Sequence, residues 1–187
     1  MRLRLLVLAL GSLLLAVAAP APAAPPPIRH VFVIVLENED AATTFGPSSP
    51  APYLARTLPA MGEFLPNYYG IAHLSLPNYI AMVSGQGPNP VTQSDCQGFV
   101  DVQPGVIGPD GQATGQGCVY PRSVPTVADQ LSAAGSSWRG YMEDMGNDPV
   151  RDNGTTCAHP NINSQDKTQS AAANDQYAAR HLSLIDI

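Results

Sequence analysis

The residues whose types could do chemistry stand in two places. Glu37 and Asn38 directly follow an apolar run, and Ser75 and Asn78 stand at the predicted start of a helix. A carboxylate beside an amide oxygen offers the hard oxygen ligands that a divalent cation prefers. The same two residues, Glu37 and Asn38, are also what a solvated turn at the end of a strand contains. Residue types alone leave both interpretations open.

Ser75 lies in the segment 70–79, Gly-Ile-Ala-His-Leu-Ser-Leu-Pro-Asn-Tyr. A hydroxyl at a helix start faces free backbone N–H groups and the positive end of the helix dipole, where a phosphate binds well. Ser75 is therefore either an ordinary N-cap or a nucleophile directed at a phosphoryl group. Asn78 is either a donor to a phosphate oxygen or a polar residue of the first turn. His73 could be a base or a metal ligand, and we expect a loop histidine.

The elements that position these residues follow from the hydrophobic pattern. Residues 28–36 are β-branched, aromatic and aliphatic apart from Arg29 and His30, which predicts a strand buried on both faces, as in parallel sheets. A helix is predicted over 78–84, opening just after Ser75. Glu37 would then stand at the carboxyl end of a strand, where working groups gather in open α/β sheets.

The rest of the pattern completes the predicted fold. Helical spacing covers 53–61 and 124–134, short strands are predicted over 64–69 and 136–142, and residues 86–125 are predicted to form a long loop. Strand, helix and strand in this order favour an α/β fold with a mostly parallel central sheet and helices on both faces.

The chain begins with the layout of a secretory signal peptide over residues 1–23. Arg2 and Arg4 precede an apolar run over 5–19, and small residues then offer Ala-x-Ala cleavage sites. The run is short for a bilayer span. We expect a secreted or periplasmic protein without a stable membrane anchor, whose mature domain covers residues 24–187.

Charge and cysteine usage narrow the function classes. The net charge of −6 and the absence of a Lys/Arg cluster after Arg4 argue against nucleic-acid binding. Export permits disulfides, and Cys96 and Cys118 flank a Gly/Pro-rich segment that a disulfide could close. Cys157 is then left over, and its partner is expected elsewhere. The oligomeric state stays open.

Two stretches together resemble the bacterial phosphoesterase family, which includes acid phosphatases and phospholipase C enzymes within the alkaline-phosphatase-like superfamily. They are residues 28–38, ending in Glu-Asn, and residues 66–79, with the Ser-x-Pro-Asn helix start; a looser third match covers 137–143. The likeness is closer to the acid-phosphatase branch, because Glu-Asp-Ala-Ala at 39–42 stands where the phospholipase branch has Arg-Ser-Phe-Asp.

The resemblance implies a role for each matching residue. Glu37 and Asn38 would bind a divalent metal cation of unknown identity, and Ser75 would be both a metal ligand and the nucleophile that forms a phosphoserine. Asn78 would steady a non-bridging phosphate oxygen. The substrate would be a small phosphoester, and the Glu37 carboxylate and the Ser75 hydroxyl are expected to point into one cleft.

The chain also departs from the family pattern. Family members are longer and take further metal ligands from a C-terminal half, so we expect a truncation after residues 175–181. The leaving-group pocket is expected partly in the loop over 86–117. Two alternatives to a secreted acid-phosphatase-like hydrolase stay open: a phospholipase C-like phosphodiesterase, and an inactive exported fragment without catalysis.

Overall fold

The structure is a computed structural model that describes residues 27–168 and 172–178. Contacts divide the chain into two compact units, Met1–Phe64 and Leu65–Ile187. The predicted signal peptide over residues 1–23 lies outside the described residues, and its boundary with the domain over 24–187 stays a prediction. In the described ranges, no helix is long and apolar enough to cross a membrane.

The first unit begins with an exposed apolar segment. Residues 28–36 have no regular secondary structure, and their largest side chains face solvent, with Phe32 86% and Ile34 81% exposed. The prediction of a buried strand here is wrong. A strand of a parallel sheet needs hydrogen-bonding neighbours and two covered faces, and the described residues contain no strand paired with this segment.

The first unit continues with short helices. They are α1 (Ala41–Phe45), a π-helical turn (Tyr53–Thr57) and α2 (Leu58–Met61), which follows the turn directly. The helix predicted over 53–61 is therefore confirmed. The rings of Phe45 and Phe64 lie 5.0 Å apart between centroids.

The second unit contains the helix that carries Ser75, α3 (Ser75–Ser84). It ends at Gly85, whose φ of 69° lies in the left-handed region that glycine adopts without steric cost. Leu76 and Ile80 are each 1% exposed and pack into the core. Their spacing of one turn puts both on the same helix face. The predicted helix after Ser75 is confirmed, with Ser75 itself as its first residue.

In the described residues, four short strands form two antiparallel pairs. β1 (Gly98–Phe99) pairs with β4 (Ser164–Gln165), and β2 (Gln103–Ile107) pairs with β3 (Ala113–Gln116) in a hairpin. The fold is thus mixed helix and sheet, as predicted in general. The mostly parallel central sheet is not found in the part of the chain that the structure describes.

Three further expectations about secondary structure are corrected. Residues 64–69 and 136–142 form no strand, and the loop predicted over 86–125 contains the β2–β3 hairpin and a 3-10 turn (Thr92–Ser94). The segments at 64–69 and 136–142 are largely exposed, and exposed aromatic residues alone do not supply the partner strand that a ladder requires.

The second unit also contains the helices α4 (Val127–Ala133) and α5 (Pro149–Asp152). Thr126 and Asp129 cap α4 reciprocally, each side chain bonding the other's backbone N–H. This is a capping box, in which two N–H groups of the helix start find acceptors. The helix predicted over 124–134 is confirmed, with shorter ends.

The core of the second unit forms around a disulfide between Cys96 and Cys118, whose Cα atoms are 6.0 Å apart. The predicted disulfide is therefore confirmed. Both cysteines are fully buried, and they contact Leu76, Ile80 and Phe99 in one hydrophobic cluster. The disulfide thus closes the segment that bears the hairpin, and the buried face of α3 packs against it.

Candidate active site

The predicted site residues fall into both units. Glu37 and Asn38 lie in the first unit and are exposed, and Asn38 has a φ of 67°, in the left-handed region that asparagine tolerates. His73, Ser75 and Asn78 lie in the second unit. A common cleft for Glu37 and Ser75 would join the two units and stays a prediction.

Ser75 is the first residue of α3 and is partly buried. The two residues after it, Leu76 and Pro77, are buried, which fixes the first turn of the helix against the core. His73 is exposed in the segment before the helix. Ser75 thus stands at the edge of a packed helix start and stays partly accessible, as a nucleophile must be.

Asn78 shapes the segment that leads into Ser75. Its Oδ1 accepts hydrogen bonds from the backbone N–H groups of Ile71 (2.8 Å) and Ala72 (3.2 Å). Its Nδ2 donates to the carbonyl oxygens of Ala72 (2.9 Å) and Leu74 (2.7 Å). A side-chain amide has two N–H donors, so both are already used here. The predicted donation to a phosphate oxygen would require one of these bonds to break.

Gly70 makes that arrangement of Asn78 possible. A Cβ atom at position 70 would stand 2.7 Å from the Oδ1 atom of Asn78, closer than any ordinary contact. The amide is held by four hydrogen bonds and cannot move aside cheaply. Glycine at 70 is therefore needed for the close approach of Asn78, rather than for an unusual φ.

Asp95 is a residue of the site that the sequence analysis missed. Its Oδ1 accepts a hydrogen bond from the backbone N–H of Leu76 at 2.9 Å, and Asp95 is 7% exposed. The carboxylate thus caps α3 from a position nineteen residues further along the chain. No local sequence motif predicts a contact between residues so far apart in the chain. The one available signal is that Asp95 directly precedes Cys96, which packs against Leu76 and Ile80 of α3.

Asp95 changes what the start of α3 can offer to an anion. The N–H of Leu76 is taken by Asp95, and Pro77 has no N–H. Among residues 75–77, that leaves the N–H of Ser75 itself. The start of α3 therefore offers fewer free N–H groups than its sequence predicts. A carboxylate beside the helix start also opposes the binding of a phosphate, because like charges repel.

The donor types predicted for a metal site fit a hard divalent cation. They are a carboxylate, an amide oxygen and a hydroxyl, from Glu37, Asn38 and Ser75. Over residues 27–168 and 172–178, however, no group of three or more His, Cys, Asp or Glu side chains lies together. The oxygen donors of these three residues suit Mg²⁺ or Ca²⁺ by type. Such a cation takes about six oxygen ligands or more, so three residues would supply only part of its coordination.

A charged cluster holds the last described segment of the second unit in place. Arg151 forms ion pairs with the buried Asp152 and with Asp175, where its Nη1 atom lies 2.7 Å from the carboxylate. The hydrogen bond from Arg151 holds the pKa of Asp175 below its ordinary value, and the pKa of Arg151 is raised, chiefly by its bond to Asp152. The cluster is a structural clamp, since it fastens residues 172–178 to α5.

The comparison with known families gives a clear result. The sequence model of the Phosphoesterase family matches residues 60–185, well over half of the chain, and the chain belongs to this family. The match contains Ser75, Asn78 and Asp95 and begins after Glu37 and Asn38. No curated protein and no solved structure matches the chain significantly. Family membership supports the hydrolysis of phosphoesters as its general activity.

Proposed function

We propose that this chain is an exported, metal-dependent phosphoester hydrolase of the acid-phosphatase type, with Ser75 as its nucleophile. One observation carries the proposal. Ser75 opens a helix whose next two residues are buried, and two polar side chains, Asn78 and Asp95, bind the backbone on either side of it. The N-cap of this helix is Leu74, so Ser75 is not the ordinary N-cap that was the alternative to a nucleophile.

The reaction proceeds in two displacements at phosphorus. The Oγ atom of Ser75 attacks the phosphorus atom as its proton passes to solvent, and the bond to the leaving oxygen breaks. The leaving alcohol takes up a proton, and a phosphoserine remains at position 75. Water then attacks the phosphoserine, releases inorganic phosphate and restores the hydroxyl. The half-burial of Ser75 limits the directions from which phosphorus can approach.

A divalent cation completes the proposal, with Glu37, Asn38 and Ser75 as the residues that would hold it. When bound, the cation would draw electron density from the hydroxyl and offset the charge of the phosphoryl oxygens. Residues of the second unit indicate that a bound phosphoryl group needs a cation. Asp95 adds a negative charge beside the helix start, and the side-chain amide of Asn78 already donates both of its N–H groups to the backbone. Stabilisation of an anionic phosphoryl group therefore requires a cation from elsewhere.

The proposed location is outside the cytoplasm, through the signal peptide over residues 1–23. A fully buried disulfide between Cys96 and Cys118 agrees with folding in an oxidising compartment, since disulfides are rare in the reducing cytosol. A small phosphomonoester is the proposed substrate, because the family likeness is closer to the acid-phosphatase branch.

Hydrolysis of a chromogenic phosphomonoester by the purified, exported protein tests the proposal. The Ser75→Ala variant should lose turnover, and Ser84→Ala is its matched control. Ser84 lies at the other end of α3, where its hydroxyl donates to the carbonyl oxygen of Ile80 at 2.7 Å. Chelation should abolish activity, and one divalent metal should restore it.

The same preparation distinguishes the alternatives. Faster hydrolysis of the corresponding phosphodiester would identify a phospholipase C-like enzyme instead. Equal turnover by the wild type and the Ser75→Ala variant would refute the nucleophile. A folded protein without turnover, at any metal tested, would refute catalysis by this chain. A phosphoserine trapped at low pH and located at Ser75 by mass spectrometry would support the two-step mechanism.

A further inference from the structure

The carboxylate of Asp95 reaches the backbone at the residue that follows the proposed nucleophile. Asp95 accepts from the N–H of Leu76 at 2.9 Å, and Leu76 is 1% exposed. This N–H is one of the amides that a helix start leaves without a partner inside the helix. A buried N–H without an acceptor is costly, so the carboxylate stabilises the turn in which Ser75 lies.

Asp95 is itself held firmly. Its backbone N–H donates to the carbonyl oxygen of Thr92 at 3.0 Å, at the end of the 3-10 turn. Asp95 and Cys96 have φ values of 53° and 48°, both in the left-handed region. Residues other than glycine stay in that region only where the surroundings over-determine the backbone. Here the disulfide from Cys96 to Cys118 supplies that constraint.

The charge of the carboxylate has a second consequence. A helix start attracts anions through its N–H groups and its dipole. The Asp95 carboxylate, itself an anion, already accepts the hydrogen bond from the N–H of Leu76, while the N–H of Ser75 is not bound by Asp95. An arriving phosphate therefore meets both a donor and a like charge. Release of the phosphate product is favoured for the same reason.

We propose that Asp95 is a positioning residue for Ser75: its carboxylate, anchored beside the Cys96–Cys118 disulfide, holds the first turn of α3 and weakens the binding of inorganic phosphate there. This inference rests on the proposed function, because it assigns a role in that reaction. The Asp95 side chain makes two separate contributions, one through its acceptor atom and one through its charge. The acceptor atom fixes the position of Ser75, and the charge sets the affinity for the product.

Two substitutions separate these contributions. Asp95→Asn keeps an oxygen acceptor and removes the charge, so the inhibition constant of inorganic phosphate and KM should both fall about tenfold, with kcat within about threefold of the wild type. Asp95→Ala removes the acceptor, so kcat should fall about a hundredfold through misplacement of the nucleophile. Asp129→Asn is the matched control, because Asp129 caps α4 through Thr126 and should change none of these constants.

A readout that does not depend on turnover accompanies the kinetics. The Leu76 amide of ¹⁵N-labelled protein should exchange slowly with deuterium in the wild type, in Asp95→Asn and in Asp129→Asn, and at least about tenfold faster in Asp95→Ala. Wild-type exchange and wild-type kcat in Asp95→Ala would overturn the positioning role. An unchanged inhibition constant in Asp95→Asn would overturn the role of the charge. An inactive wild type would refute the proposed function, and the Leu76 exchange rate would still decide whether Asp95 holds the helix start.

Discussion

Removal of the Cys96–Cys118 disulfide should have a large and calculable effect on stability. The cross-link joins residues with a sequence separation of 22. In the chain-entropy model, a cross-link that closes a loop of that length lowers the conformational entropy of the unfolded state. This stabilises the folded state by about 3 kcal/mol. A domain of this size has roughly 5–15 kcal/mol of stability in total. The Cys96→Ala/Cys118→Ala protein should therefore lose about 3 kcal/mol of unfolding free energy.

The substitution should also act on the proposed site. Without the cross-link, the left-handed conformations of Asp95 and Cys96 lose their constraint, and the hydrogen bond from the Leu76 N–H to Asp95 should weaken. Hydrogen bonds to charged groups contribute about 1.5–3 kcal/mol. Turnover should fall along with stability, although neither cysteine is proposed to touch the substrate.

Urea unfolding followed by circular dichroism measures the loss, with linear extrapolation to water. All proteins should carry Cys157→Ala, since the free and exposed Cys157 could exchange with the disulfide. The Cys157→Ala protein with its disulfide intact is the reference. A loss below about 1 kcal/mol at an unchanged urea dependence would refute the reasoning, because the cross-link would then restrict the unfolded chain very little.

Three further predictions concern single side chains. Asn78→Asp should lower turnover and stability, because a carboxylate cannot donate to the two carbonyl oxygens that the amide now binds; normal kinetics in this variant would count against that role. Asp129→Asn should lower stability at neutral pH, and the difference from the wild type should vanish in acid. The backbone and side-chain hydrogen bonds from Thr126 hold the pKa of Asp129 below its ordinary value of 3.8, so this stabilisation exists above that pH and is lost as the pH falls through the lowered pKa; denaturation curves at several pH values should show the convergence. Burial raises the pKa of Tyr120 above 10.0, so its neutral form stabilises the fold below that pH and the contribution is lost as the pH rises through the raised value. A difference titration of phenolate absorbance between the wild type and Tyr120→Phe should show one tyrosine that ionises late, and a midpoint at or below 10 would contradict the assignment.

Predictions that depended on residues close in sequence were confirmed. The start of α3 at Ser75 and its end at Gly85 follow from proline near the first turn and glycine after the last. The capped helix α4 follows from apolar spacing. The disulfide between Cys96 and Cys118 follows from two cysteines at the ends of a Gly/Pro-rich segment. In each case the determining groups lie within a short stretch of the chain.

Predictions of strands, which depend on a partner distant in the sequence, were wrong. The apolar run over 28–36 has every local property of a central strand, yet it is exposed and pairs with no described strand. A strand is stable only beside other strands, and a run of apolar residues does not specify where those neighbours come from. The strands predicted over 64–69 and 136–142 were wrong for the same reason.

The candidate site shows the same division between sequence and tertiary structure. The sequence by itself determined that Ser75 opens a helix and that Asn78 follows it within one turn, because helix starts are set by a few adjacent residues. Only the tertiary structure decided that the Asn78 side chain donates both N–H groups to backbone carbonyl oxygens. It also decided that Asp95 binds the N–H of Leu76, which lies nineteen residues earlier in the chain. These contacts depend on where the disulfide-linked segment packs, and packing is a property of the whole fold rather than of any short stretch.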